Sequence, residues 1–131
     1  MPPAITPDVP DRQAIAETAL RWLLTKSSVR DYRIFWIYSE PGLDLTRTFD
    51  ELRTGRGVEF RLGDADADNR CAGLEANWEV AVTLEVPALR GRSADQPVVL
   101  CSDFLGQRIH LEIRIENGTW RVRDVGYETT T

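Results

Sequence analysis

From Ile15 the apolar positions Ile15, Ala16, Ala19, Leu20, Leu23 and Leu24 recur at helical spacing, with Arg12, Gln13, Glu17 and Arg21 mostly on the opposite side. The spacing predicts an amphipathic helix that begins near Asp8 or Asp11 and runs to about Lys26, its N-terminal dipole complemented by Asp8 and Asp11. Ahead of it, Pro2, Pro3, Pro7 and Pro10 each remove a backbone donor and constrain the preceding residue. Residues 1–10 are therefore expected as an extended tail, and residues 11–128 as one domain.

Residues 29–38 (VRDYRIFWIY) are rich in β-branched and aromatic side chains and turn continuously apolar from Ile34, which predicts a strand buried on both faces in its second half. After the turn signal Glu40-Pro41-Gly42, Leu45, Phe49 and Leu52 fall on one helical face, and Thr48 with Glu51 has the spacing of a capping box. That short helix is expected to stop at Gly55. Val58, Phe60 and Leu62 alternate with Glu59 and Arg61 as a second strand.

The remainder reads as an antiparallel meander. Trp78, Val80, Val82, Leu84 and Val86 alternate with polar residues, residues 98–101 form a short apolar run, and Ile109, Leu111, Ile113 and Ile115 alternate with charged ones. Asn117-Gly118 is a strong hairpin signal leading into Trp120 and Val122. The predicted fold class is α+β, with the N-terminal amphipathic helix packed on a curved antiparallel sheet of five to six strands.

Composition narrows the chemistry. At 131 residues the chain is long enough to bury roughly two thirds of its unfolded surface without a metal or disulfide. Sixteen basic against 21 acidic residues leave a formal charge of −5, which disfavours nucleic acid and anionic membranes as partners. One histidine, His110, and two cysteines, Cys71 and Cys101, are too few for an ordinary zinc site, and no GxSxG, Walker, GxGxxG or HExxH motif occurs. The first residues lack the basic and apolar regions of a signal peptide, so a cytoplasmic location and two free thiols are expected.

Three groups of residues carry candidate functions. On the polar parity of one strand, Arg108, His110, Glu112 and Arg114 face the same way, and Arg121 and Arg123 follow on the next. Together with Glu79 and Glu85 they predict a solvated face of cross-strand unlike-charge pairs, suited to a protein partner. Residues 64–75 place Asp64, Asp66 and Asp68 at positions 1, 3 and 5 and Glu75 at 12, the ligand spacing of an EF-hand-like calcium loop, though position 6 is Asn69 where glycine makes the turn. Tyr38, Asp103 and Asp124 are the pocket candidates for acid–base work near the core. Trp22, Trp36, Trp78 and Trp120 are expected as core aromatics.

The order of helix, strand, short helix and curved meander, closing in Asn117-Gly118-Thr119-Trp120-Arg121-Val122-Arg123-Asp124-Val125, resembles the NTF2-like superfamily with its cystatin-like cone. The resemblance implies either an isomerase, hydrolase or dehydratase working in the cone, or a non-catalytic ligand-binding or dimerisation module. The chain departs from the pattern in having one long N-terminal helix where many members have a pair, and no matching Asp-His pair in the pocket. The expectation is a non-catalytic protein-binding or assembly module, a homodimer or a partner of another protein. Its alternatives are a small-molecule binder or enzyme using the cone, and a domain stabilised by calcium through residues 64–75.

Overall fold

The computed structural model describes residues 4–25, 32–40, 42–54, 57–63, 78–102 and 106–129. Two helices, α1 (Val9–Leu23) and α2 (Thr46–Arg53), pack on one face of an open sheet. Its strands are β1 (Ile34–Tyr38), β2 (Glu59–Leu62), β3 (Glu79–Leu84), β4 (Ala88–Arg90), β5 (Ser93–Cys101), β6 (Gly106–Glu116) and β7 (Thr119–Thr129). Their order is β2-β1-β3-β5-β6-β7, with β4 continuing the line of β3 along the same edge of β5.

The fold is α+β as expected, but the sheet is mixed. β1 runs parallel to both β2 and β3, and only β3 to β7 form antiparallel pairs. The physical reason is the connection: α2 lies between β1 and β2, and a helical crossover returns the chain in the same direction. This half departs from the antiparallel sheet that the alternation pattern predicts.

α1 buries Ile15, Ala16, Ala19, Leu20 and Leu23, the face its spacing predicts. They meet the inner side chains of the sheet, Val80, Val82, Val98, Leu100, Leu111 and Ile113, in one core. In the parallel half that core is aromatic. Phe49 of α2 stacks on Phe60 with centroids 5.0 Å apart, and Phe60 lies 5.4 Å from Phe35.

Several local expectations are corrected. The segment read as an extended tail is tied down at Ile5, which exchanges two backbone hydrogen bonds with Leu89, at 2.9 and 2.7 Å; α1 begins at Val9, between the two starts expected for it. Thr48 does not cap α2; it sits inside the helix and is buried, while the helix start is held by the Asp44 carboxylate accepting from the Thr46 amide at 3.1 Å. That hydrogen bond holds the Asp44 carboxyl below its ordinary value. Trp78 is 51% exposed rather than core, and Trp36 lies on the outer face under the Arg61 guanidinium, 5.1 Å from its ring centroid. Trp22 and Trp120 pack partly buried against the core. No free cysteine occurs among the described residues, and Cys101 is disulfide-bonded, contrary to the free thiols expected. The other cysteine of the chain, Cys71, lies outside the described residues.

Candidate functional site

The outer face of β4 to β7, turned away from the helices, carries most of the chain's candidate chemistry. Strand alternation places His110, Arg108, Glu112 and Arg114 of β6 on it, because Ile109, Leu111 and Ile113 take the core. On β5 the same alternation presents Ser93 and Asp95, since Ala94, Gln96 and Val98 point inward. Gln96 is a polar exception in the core, satisfied by donating from Nε2 to the Glu85 and Pro97 carbonyls at 2.6 and 2.8 Å.

β7 reaches this face through a β-bulge. The register passes from Glu112↔Asp124 directly to Ile113↔Val122, so Arg123 is an extra residue and the parity of β7 changes there. Val122 and Trp120 point to the core before it, and Val125 after it. Arg121 and Asp124, an odd and an even position, therefore share the outer face. Asp124, expected near the core, is instead exposed on the outer face.

His110 has both ring nitrogens engaged by carboxylates. Nδ1 lies 3.2 and 3.3 Å from the two Asp95 oxygens, and Nε2 lies 3.0 Å from Glu128 Oε2. A neutral ring would aim a lone pair at one of these acceptors, whereas the imidazolium donates to both. The Glu128 hydrogen bond is the chief cause raising the His110 pKa above its ordinary value; Asp95 adds to it, and partial burial and Arg108 oppose it. Gly126 stands directly across from His110 on β7, where a Cβ would come within 3.9 Å of the His110 Cβ. Arg108 donates from Nε to Glu85 at 3.0 Å and lies 3.8 Å from Glu128, completing a chain of alternating charges along one end of the face.

No protein-family model, curated protein or solved structure matches the chain. The site is accordingly read from this chain's own geometry.

A cavity of about 370 Å³ opens beside His110, lined by Arg90, Ser93, Asp95, Glu112, Asp124 and Gly126 among others. His110 is 35% exposed, Asp95 48% and Glu128 53%, so the cluster is solvated. Both ring nitrogens of His110 thus face carboxylates at a solvated surface.

The predicted site residues do not converge as one centre. Arg108, His110, Glu112, Arg114 and Arg121 share the outer face, and Arg123 joins its margin by pairing with Glu116 at 3.3 Å. Glu79 is absent from it: the residue is buried in β3 and accepts from Trp36 Nε1 at 3.3 Å. Tyr38, also an outer-face residue, is buried at the end of β1 with its ring over Gly63. Four strand spacings, about 19 Å, separate β1 from β7 and so Tyr38 from Asp124. Asp103 and the proposed calcium ligands Asp64, Asp66, Asp68 and Glu75 lie outside the described residues. Among the described residues there is no group of three or more His, Cys, Asp or Glu placed to hold a metal. No helix among them is long and apolar enough to cross a membrane.

Asp95 and Glu128 were missed as the partners of His110. Both are nonlocal, 15 and 18 residues away, and only strand register brings them in. The expected cross-strand pairing of unlike charges forms at one end of the face, where Arg108 meets Glu85 and Glu128, but not in two neighbouring rows. Asp95, Glu112 and Asp124 stand directly opposite one another across β5, β6 and β7, and Arg114 stands opposite Arg121. Like charges are aligned with like, and within these rows no unlike pair forms.

Proposed function

We propose that this chain is a non-catalytic protein-binding or assembly module of NTF2-like type, and that the outer face of β4 to β7 is its partner surface. The observation that carries the reading is His110. The chain's one histidine is held between Asp95 and Glu128, with a carboxylate within hydrogen-bond distance of each ring nitrogen, on a face open to water. Around it the charged side chains form a broad, shallow surface. The helix seated on an open curved sheet and the Asn117-Gly118 hairpin support the resemblance to NTF2-like proteins, in which such modules occur. On the inner face, where a cone pocket would lie, Val82, Leu100, Leu111 and Ile113 are packed against α1.

The test is site-directed photocrosslinking of the full chain in its native cell. A photoreactive residue at Arg121 or Glu112 is expected to trap protein adducts, while the same residue at Gln13 on α1 gives few. Adducts forming from α1 and none from the sheet face would sink the reading.

The cavity beside His110 favours a second reading, a small-molecule binding site at Arg90, Asp95 and Asp124. A metabolite that raises the melting temperature of the wild type but not of Asp95→Asn would establish it. No shift across a broad library would remove it.

A further inference from the structure

We infer that the partner of this face is a second copy of the chain, docked so that the arginine row of each copy lies over the carboxylate row of the other. The inference rests on reading the face as a partner surface and names what binds there. Two adjacent rows cross the sheet. In one, Arg90 pairs with Ser93, Ser93 with Arg114, and Arg114 with Arg121. In the next, Ala88 pairs with Asp95, Asp95 with Glu112, and Glu112 with Asp124. Directly opposed like charges destabilise a sheet; the first row holds one such pair, Arg114 with Arg121, and the second holds two, Asp95 with Glu112 and Glu112 with Asp124.

Little within the chain relieves them. Among the described residues Arg90, Arg114 and Arg121 have no ion pair, as Arg33, Arg47 and Arg92 have none, and of these six only Arg114 and Arg121 stand directly opposite each other. In the carboxylate row Asp95 alone has an ion-pair partner among the described residues, His110 when its ring is protonated; Glu112 accepts a long 3.4 Å contact from Ser93 Oγ, and Asp124 accepts from the Val125 amide.

The rows are two residues apart on β5 and β6, a separation of about 7 Å. A two-fold axis running along the gap between them exchanges the rows of facing copies: Arg114 comes over Glu112 of the other copy, and Arg121 over its Asp124. Such a contact is isologous and closes on itself as a dimer. An anionic or cationic ligand would satisfy one row and leave the other opposed. A second copy satisfies both, which is why the pattern selects it. Four strands at this spacing and length offer on the order of 600 Å² per copy, near the ~800 Å² of standard interfaces.

The experiment is sedimentation equilibrium on the full chain, comparing the wild type with Arg114→Glu, Glu112→Arg and their equimolar mixture. The wild type is expected to dimerise, each variant alone to associate at least tenfold more weakly, and the mixture to recover dimer. Recovery follows because one variant presents two acidic positions and the other two basic ones. Circular dichroism melts confirm that both variants fold; Arg121→Glu mixed with Asp124→Arg is the second pair should either fail. A wild type monomeric at millimolar concentration overturns the second copy as partner but leaves the face free to bind another protein. A dimer indifferent to both substitutions overturns the inference and the partner-surface reading together. Loss of dimer in each variant without recovery on mixing overturns the row-on-row register.

Discussion

Every side chain of β3 is buried, those pointing away from the helices included, whereas β6 alternates between core residues and a charged, wet face. The two strands lie in one sheet on either side of β5. What separates them is the direction of their neighbours. In the parallel half, β2-β1-β3, a helical crossover joins β1 to β2, and the inner strand β3 is covered on both faces as parallel strands usually are, while the edge strand β2 leaves Glu59 and Leu62 exposed. The antiparallel half, joined by short connections at β4–β5 and β6–β7, keeps one face for solvent. Candidate function therefore concentrates on the half that the chain could leave uncovered.

The sharpest way to break this comparison is to place the same charge on the outer face of each half. Ala81→Asp on β3 buries an unpaired carboxylate and is expected to cost at least about 3 kcal/mol or to unfold the chain, measured by urea denaturation. Val99→Asp on β5, nearer the wet side and partly exposed, should cost clearly less; equal losses would mean the two halves do not differ in cover. The inner faces should not differ in kind. Phe35→Ala and Leu111→Ala are each expected to lose about 2–5 kcal/mol, because both side chains are buried in the one core.

Gly63→Ala probes the cover of the parallel half directly. A Cβ there would overlap the Tyr38 ring, and the expected loss is about 1–3 kcal/mol, read as a shift of the urea midpoint. On the wet half Gly126→Ala meets nothing closer than His110 Cβ at 3.9 Å, and only a few tenths of a kcal/mol are expected there.

The smallest effect concerns His110. Its folded-state pKa is raised, so its contribution is fully present below the unfolded value near 6.5 and is lost as pH rises through the folded value. Being a partly exposed ion pair it should be worth about 0.2–1 kcal/mol. The melting-temperature difference between wild type and His110→Gln should therefore shrink as pH rises from mildly acidic to alkaline. A difference that grows with pH would show the ring neutral in the folded state.

Much of this was legible from pattern. The buried face of α1, the inward alternation of β6 and the Asn117-Gly118 turn, whose residues both take positive φ at 52° and 78°, follow from local spacing and local chemistry. The parallel pairing of β1 with β2 also has a local signature, a strand, a helix and a strand in succession, which the antiparallel expectation did not use. What local spacing does not contain is register. The Asp95–His110–Glu128 cluster and the like-charge rows depend on which residue faces which across three strands. Arg121 and Asp124 share a face through one inserted residue that no periodicity marks.

That inserted residue also bears on how far assembly can go. β7 is the edge strand of the sheet and is eleven residues long, the kind of exposed edge that templates open-ended fibre growth. Arg123 divides it into two shorter segments whose side chains are out of phase, each flanked by charge. A strand adding from another molecule would have to reproduce the kink to stay in register beyond it. The edge is thereby blunted, and association is steered away from the rim of the sheet.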